Sequence, residues 1–167
     1  MRREELQAVQ APLKRLYRED PHAGLVTLRA QGDLSRTAVA CSVQTGRALT
    51  EAGLHPASGG EGDLACSGDM LLEALVACAG VTLKSVAVNR DISLTGGRVI
   101  AEGELDFRGT MAVDRDAPVG FASIRVRFEL EPKLGDEDLE ALLASTERYC
   151  VVLQTIARGV PVTISHA

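Results

Sequence analysis

The chain contains no tryptophan, and only 3% of its 167 residues are aromatic. Its core must therefore be built mainly from Leu, Val, Ile and Ala. It also has no excess of positive charge; the formal net charge is -5. Neutralising phosphates needs a basic face, so no nucleic-acid partner is expected. The N-terminal MRREELQAVQAPLKRLYRED has no apolar centre. No export signal is read there, and a cytoplasmic location is expected. No internal repeat or low-complexity linker is present. With 46% hydrophobic and 25% charged residues, the composition is that of an ordinary globular protein. A chain of this length can bury a core without disulfides or metals.

One segment has the length of a membrane span, Met70 to Val88. It carries Glu73, Gly80, Thr82, Lys84 and Ser85, too many polar groups for lipid. A buried core helix is expected, with no membrane insertion.

The four cysteines are Cys41, Cys66, Cys78 and Cys150. No pair has CxxC spacing, and His22, His55 and His166 do not cluster with them at zinc-site spacing. No metal is expected. In a reducing compartment permanent disulfides are not expected either. Buried inert thiols or redox chemistry remain, and position has to decide between them.

Along the chain, Leu6, Val9, Leu13 and Leu16 recur at helical spacing over roughly Glu4 to Tyr17, with Pro12 as a kink or break. Leu25 to Ala30 and Ala38 to Val43 read as strands of a hairpin, with Gly32, Asp33 and Ser35 as turn residues. AGLHPASGGEGDLACSGD reads as a long loop ending at Ser67, a good N-cap, with Asp69 in the first turn of a helix that runs to about Asn89. Val99 to Arg108 and Ile124 to Glu131 alternate as strands; Ile124, Val126, Phe128 and Leu130 share one face. Asp136 can cap a helix carrying Leu139, Leu142 and Leu143; a second helical piece holds Cys150 and Leu153; VPVTIS reads as a last strand. Segregated helices and antiparallel strands give the α+β class.

Within the long helix, Cys78 shares its face with Leu71, Ala74, Leu75, Val81, Thr82 and Ser85. Taken alone, a single cysteine on a face of small and apolar side chains is most often a packed core thiol.

A wider pattern changes that reading. The run GGEGDLACSGDMLLEALVACAGVTLKSVA resembles the signature of the OsmC/organic hydroperoxide resistance family. It has a glycine pair (Gly59-Gly60), a loop, a carboxylate at the helix start (Asp69), a Leu/Ala run and the family's reactive cysteine, here Cys78. A second family cysteine, late in the chain at the start of a helix, matches Cys150 in TERYCVVLQTI. The resemblance spans roughly residues 25 to 165. It implies an OsmC-like domain over 25–167 and leaves residues 1–24, helical by their spacing, as an N-terminal extension outside it. The implied fold is an antiparallel sheet wrapped around a long central helix in an intertwined homodimer.

The resemblance also implies a function. In the family the first cysteine attacks an organic (lipid or alkyl) hydroperoxide, giving a sulfenic acid and an alcohol. The second condenses with it to a disulfide, which an external dithiol such as dihydrolipoamide reduces. Cys78 would then be the peroxidatic cysteine and Cys150 the resolving one, with no bound cofactor. The expected activity is a thiol peroxidase in oxidative-stress defence; the alternatives are a small-ligand-binding protein or a redox sensor.

Thiolate is the reacting form. Cys78 stands about two and a half turns inside its helix, beyond reach of the dipole at that helix's own N-terminus. In the family an arginine from the N-terminal hairpin region approaches the cysteine, held by a carboxylate. Arg36 is the first match and Arg47 the second, each otherwise an exposed charge. Asp69 matches the carboxylate, or else serves only the helix dipole; Glu73 is an alternative. Two departures stand out. Gly68-Asp69 replaces the Pro-Glu pair of the organic hydroperoxide resistance enzymes, and Val151 follows Cys150 where relatives often have proline. Cys41 is read as a core strand residue, Cys66 as an incidental thiol, and Glu147-Arg148 as a solvated salt pair. A base role for His55 is disfavoured, since an arginine-stabilised thiolate needs none.

Overall fold

The computed structural model describes residues 2–4, 8, 11, 19, 31–34, 40–44, 49–110 and 114–166. The strand expected over 25–30 and most of the N-terminal helix lie outside them, though residues 3, 4, 8, 11 and 19 are helical. The described elements are β1 (Gln31–Leu34), β2 (Ala40–Gln44), β3 (Leu49–Gly53), β4 (Ala65–Cys66), α1 (Ser67–Asn89), β5 (Gly96–Leu105), the short α2 (Phe107–Thr110), β6 (Phe121–Glu131), α3 (Asp136–Tyr149) and α4 (Val151–Arg158). Helices and small sheets together make an α+β protein.

The chain divides into two compact units. One comprises Pro21–Glu73 and Ala101–Arg125; the other Met1–Asp20, Ala74–Ile100 and Val126–Ala167. In the first, a four-stranded sheet runs β1-β2-β3-β4, antiparallel except for the parallel β3-β4 pair. Gly32 and Asp33, expected in a turn, pair instead with Val43 and Ser42. The ladder's non-local hydrogen bonds override their turn propensity. β3 and β4 were not foreseen, and β4 lies inside the expected loop.

That loop begins with a 3-10 turn over Pro56–Ser58. Its N-cap is His55, whose Nδ1 accepts the Ala57 N–H at 3.0 Å. The His55 ring stacks on Phe107, centroids 5.0 Å apart. The glycine pair that follows has a steric reason. Gly59 closes the turn at φ 94°, and a Cβ on Gly60 would lie 1.7 Å from the Leu54 carbonyl oxygen. Arg108, expected at a strand end, sits in α2 and pairs with Asp106 and Asp114.

In the other unit, α1 buries Leu75, Ala79, Leu83 and Ala87, one residue per turn. By length and composition alone α1 could cross a membrane; here this line faces protein. Leu83 and Ala87 meet the fully buried Leu142 of α3, with half-buried Phe128, Leu130 and Leu134 around them. β5 pairs with β6. Ile124, Val126, Phe128 and Leu130 of β6 are half-buried, while Arg125 and Arg127 between them are exposed, as the alternation predicts. Arg3 pairs with Asp91 just beyond α1.

Two terminal expectations need correction. The N-cap of α3 is Gly135, with Asp136 in the first turn making no capping bond. VPVTIS forms no strand: residues 159–166 carry no regular structure, and Val162 and Ile164 are 80% and 94% exposed. A strand needs a neighbour for its backbone, and no described strand of this chain supplies one.

Candidate functional site

Cys78 lies in the middle of α1, half-buried, and Cys150 at the junction of α3 and α4, with no exposed surface. The junction is pinned on both sides. The Cys150 N–H donates to the Thr146 carbonyl at 2.9 Å, ending α3, and its carbonyl accepts the Gln154 N–H at 2.9 Å, starting α4. Cys150 is thus at once the C-cap of one helix and the N-cap of the next. No proline is needed to start α4; Val151 takes the first helical position.

The two thiols meet. Partial burial works against a Cys78 thiolate, but donors outweigh it. They are the Val152 N–H, the Cys150 thiol, the Thr82 hydroxyl and the Val151 N–H, and together they hold the Cys78 thiol below its ordinary value. Cys150 goes the other way. Burial pushes its thiol up, the Leu153 and Val152 amides oppose this, and donation to Cys78 and the nearby Cys78 charge raise it further.

This adds a source of activation that the sequence reading did not name. The first turn of α1 is too far from Cys78, but amides of the first turn of α4, Val152 and Val151, are among the groups that lower the Cys78 thiol. No charged side chain is among the described partners of Cys78. Such a pair can accept an oxygen at the low-pKa sulfur and then close to a disulfide through the neighbouring thiol.

Arg36 and Arg47, the expected cations, lie outside the described residues. Asp69 is exposed in the first turn of α1 and makes no ion pair with any described residue; Glu73, one turn further on and also exposed, makes none either. Cys41 lies in β2, and Cys66 is a half-buried free thiol in β4. His55 caps and stacks, as described. No Glu147–Arg148 ion pair forms; Arg148 lies over the Tyr149 ring, 5.5 Å from its centroid. Among the described residues no cluster could hold a metal ion.

Sequence reasoning missed the α4 amides and did not weigh Thr82 as a donor. The signals were present: Thr82 is four residues after Cys78, and valine after Cys150 leaves an N–H that proline would remove.

Among curated proteins, no sequence matches this chain closely enough to count as a relative. Solved structures do resemble it. An OsmC-like protein from Mycoplasma pneumoniae superposes with a TM-score of 0.66 at 14% identity, covering 81% of this chain and 89% of its own. For an organic hydroperoxide resistance protein OsmC from Legionella pneumophila, described as a predicted redox protein, the TM-score is 0.62 at 21% identity, covering 81% and 91%. An organic hydroperoxide resistance protein from Elizabethkingia anophelis, with thiocyanate bound, gives 0.60 at 17% identity, covering 81% and 90%. At these identities the likeness establishes a shared fold. The family model for OsmC-like proteins matches residues 60–165, which includes both cysteines. The chain therefore belongs to the OsmC-like protein family.

Proposed function

We propose that this protein is a cysteine-based thiol peroxidase that reduces organic hydroperoxides to alcohols in a peroxide-stress role. The observation that carries this reading is the contact of a low-pKa Cys78 with a buried, high-pKa Cys150. The names of the Legionella and Elizabethkingia relatives point to the same chemistry.

The Cys78 thiolate attacks the terminal peroxide oxygen, and the O–O bond breaks. Its electron pair leaves on the alkoxide, which takes a proton to become the alcohol, while Cys78 becomes a sulfenic acid. The Cys150 sulfur then attacks the Cys78 sulfur, the S–O bond breaks, and hydroxide leaves as water once protonated. An external dithiol such as dihydrolipoamide returns the disulfide to two thiols, so no bound cofactor is required. Arg36 or Arg47, held by Asp69, would add a cation to the amide donors already at the sulfur.

The working form is an intertwined homodimer with its sheets wrapped around the long helices. Two features support it. Ala74, Ala77 and Val81 form an exposed apolar stripe on α1, with Val81 73% exposed. Val160, Val162 and Ile164 alternate on an exposed tail that has no described strand to pair with.

Purified protein given cumene hydroperoxide and a dithiol tests the function. Multiple turnovers abolished by Cys78→Ser are expected. A single stoichiometric oxidation without recycling would instead indicate a redox sensor. No oxidation at all would leave a small-ligand-binding protein.

A further inference from the structure

The way α1 ends builds a cavity. Beyond Asn89, the Asp91 N–H donates to the Val88 carbonyl at 3.2 Å and the Ile92 N–H to the Ala87 carbonyl at 2.9 Å. Asp91 stands at φ 57°, the left-handed position that closes a helix and turns the chain back. Ile92, Ser93 and Leu94 follow, and Lys84 Nζ ties this segment to α1 by donating to the Leu94 carbonyl at 2.9 Å. Helix and segment together line a cavity of about 810 Å³, a size that holds small molecules. Its apolar walls are Val81 and Val88 from α1 and Ile92 and Leu94 from the segment after it. All of its lining belongs to one compact unit, and neither Cys78 nor Cys150 is part of it.

The charges around this cavity run against those of the chain. The net charge of the whole is -5, yet Arg2, Arg3 and Lys84 line the cavity with Asp91 as the one carboxylate. Asp91 is engaged by Arg3, and Lys84 makes no ion pair with any described residue. The helix end does not account for these cations. The Asp91 and Ile92 amides already serve the Val88 and Ala87 carbonyls, and Lys84 stands more than a turn before Asn89. A lysine ammonium also keeps further N–H donors beyond the one directed at Leu94. We propose that this cavity binds a free carboxylic acid with an apolar chain. Its carboxylate meets Lys84, with Arg2 and Arg3 beside it, and its chain lies on Val88, Ile92 and Leu94. Hydrogen bonds from these cations to an ionised carboxylate are charge-assisted, the stronger kind, while the chain leaves water for the apolar walls. The site is separate from the thiol pair and does not rest on the peroxidase reading.

The chain has no tryptophan, so Ser93→Trp, at an exposed position that lines the cavity, places a single fluorescent reporter there. Decanoate should shift its emission to the blue, saturably, as an alkyl chain replaces water at the indole. Acetate, which has no chain, should give no shift at the same concentration. Decanol, with the same chain and no charge, should bind about tenfold more weakly than decanoate. Lys84→Gln in the reporter protein should raise the decanoate Kd about three- to tenfold, the loss of one charge-assisted hydrogen bond. Lys84→Arg should restore it. Calorimetry on the unaltered full chain should return the same decanoate affinity, and circular dichroism the same helix content for every variant. Affinity confined to the Ser93→Trp protein overturns the site. So does a decanol Kd equal to that of decanoate, or a Kd that Lys84→Gln leaves unmoved. Should Lys84→Gln lose helix content, the comparison of decanoate with decanol decides in its place.

Discussion

Cys78 and Cys150 carry the same side chain, touch each other, and are driven in opposite directions by their surroundings. The Val152 and Val151 amides, the Cys150 thiol and the Thr82 hydroxyl lower the Cys78 thiol, whereas Cys150 is enclosed and its thiol is raised. The sign of the pH dependence follows. A lowered value keeps Cys78 as thiolate at lower pH, so its alkylation rate falls only as pH drops through that lowered value. The raised value and full burial keep Cys150 protonated to above the ordinary 9.0. In the reduced protein at neutral pH, iodoacetamide should therefore mark Cys78 well before Cys150; equal labelling would contradict the geometry. Val151 offers a finer probe. Proline is well accepted at the first helical position but has no N–H. Val151→Pro should move the Cys78 midpoint upward and leave the melting temperature nearly unchanged. A midpoint that stays put would mean that this amide does not act on the sulfur.

At the level of elements, legibility follows how local the signal is. The long helix is expected from about Asp69 to Asn89 and is found at Ser67–Asn89, because apolar spacing and an N-terminal Ser-Gly-Asp are written within the helix itself. The sheet containing β1 is another matter. Gly32 and Asp33 look like a turn to any local reading, and only their partners Val43 and Ser42 make them strand. Asp136 has the residue type of a cap, yet Gly135 occupies the cap. The same division holds at the site. Cys78 and Cys150 are legible through resemblance, whereas the α4 amides become donors only when α4 packs against α1. Leu142 is the element-scale test. It is fully buried where α3 meets Leu83 and Ala87, so Leu142→Ala leaves a cavity. A loss of about 2–5 kcal/mol in urea unfolding is expected. A loss under about 1 kcal/mol would mean that the α1–α3 contact is not the core of this unit.

For the whole molecule, the apolar groups left outside count for more than those within. Val81, Val162 and Ile164 are each more than two-thirds exposed, on a helix stripe and on a tail. Scattered apolar residues on a surface need no explanation, but these are ordered. The α1 stripe repeats at helical spacing and the tail at period two, the patterns of a helix and of a strand that each lack a partner. The tail begins at Gly159 with φ 64°, and Pro161, which cannot donate, leaves one edge suited to a sheet margin. A second copy of the chain answers both, because a two-fold axis would present each stripe to its counterpart and each tail to the other copy's sheet. Light scattering should then give twice the chain mass. Val81→Asp would put two like charges at that axis and should yield a monomer with unchanged helix content by circular dichroism. Ile164→Asp acts on the tail alone and should weaken the dimer in a concentration-dependent way. A monomeric unaltered protein at micromolar concentration would overturn the assembly, and a Val81→Asp protein that stays dimeric would move the interface away from α1.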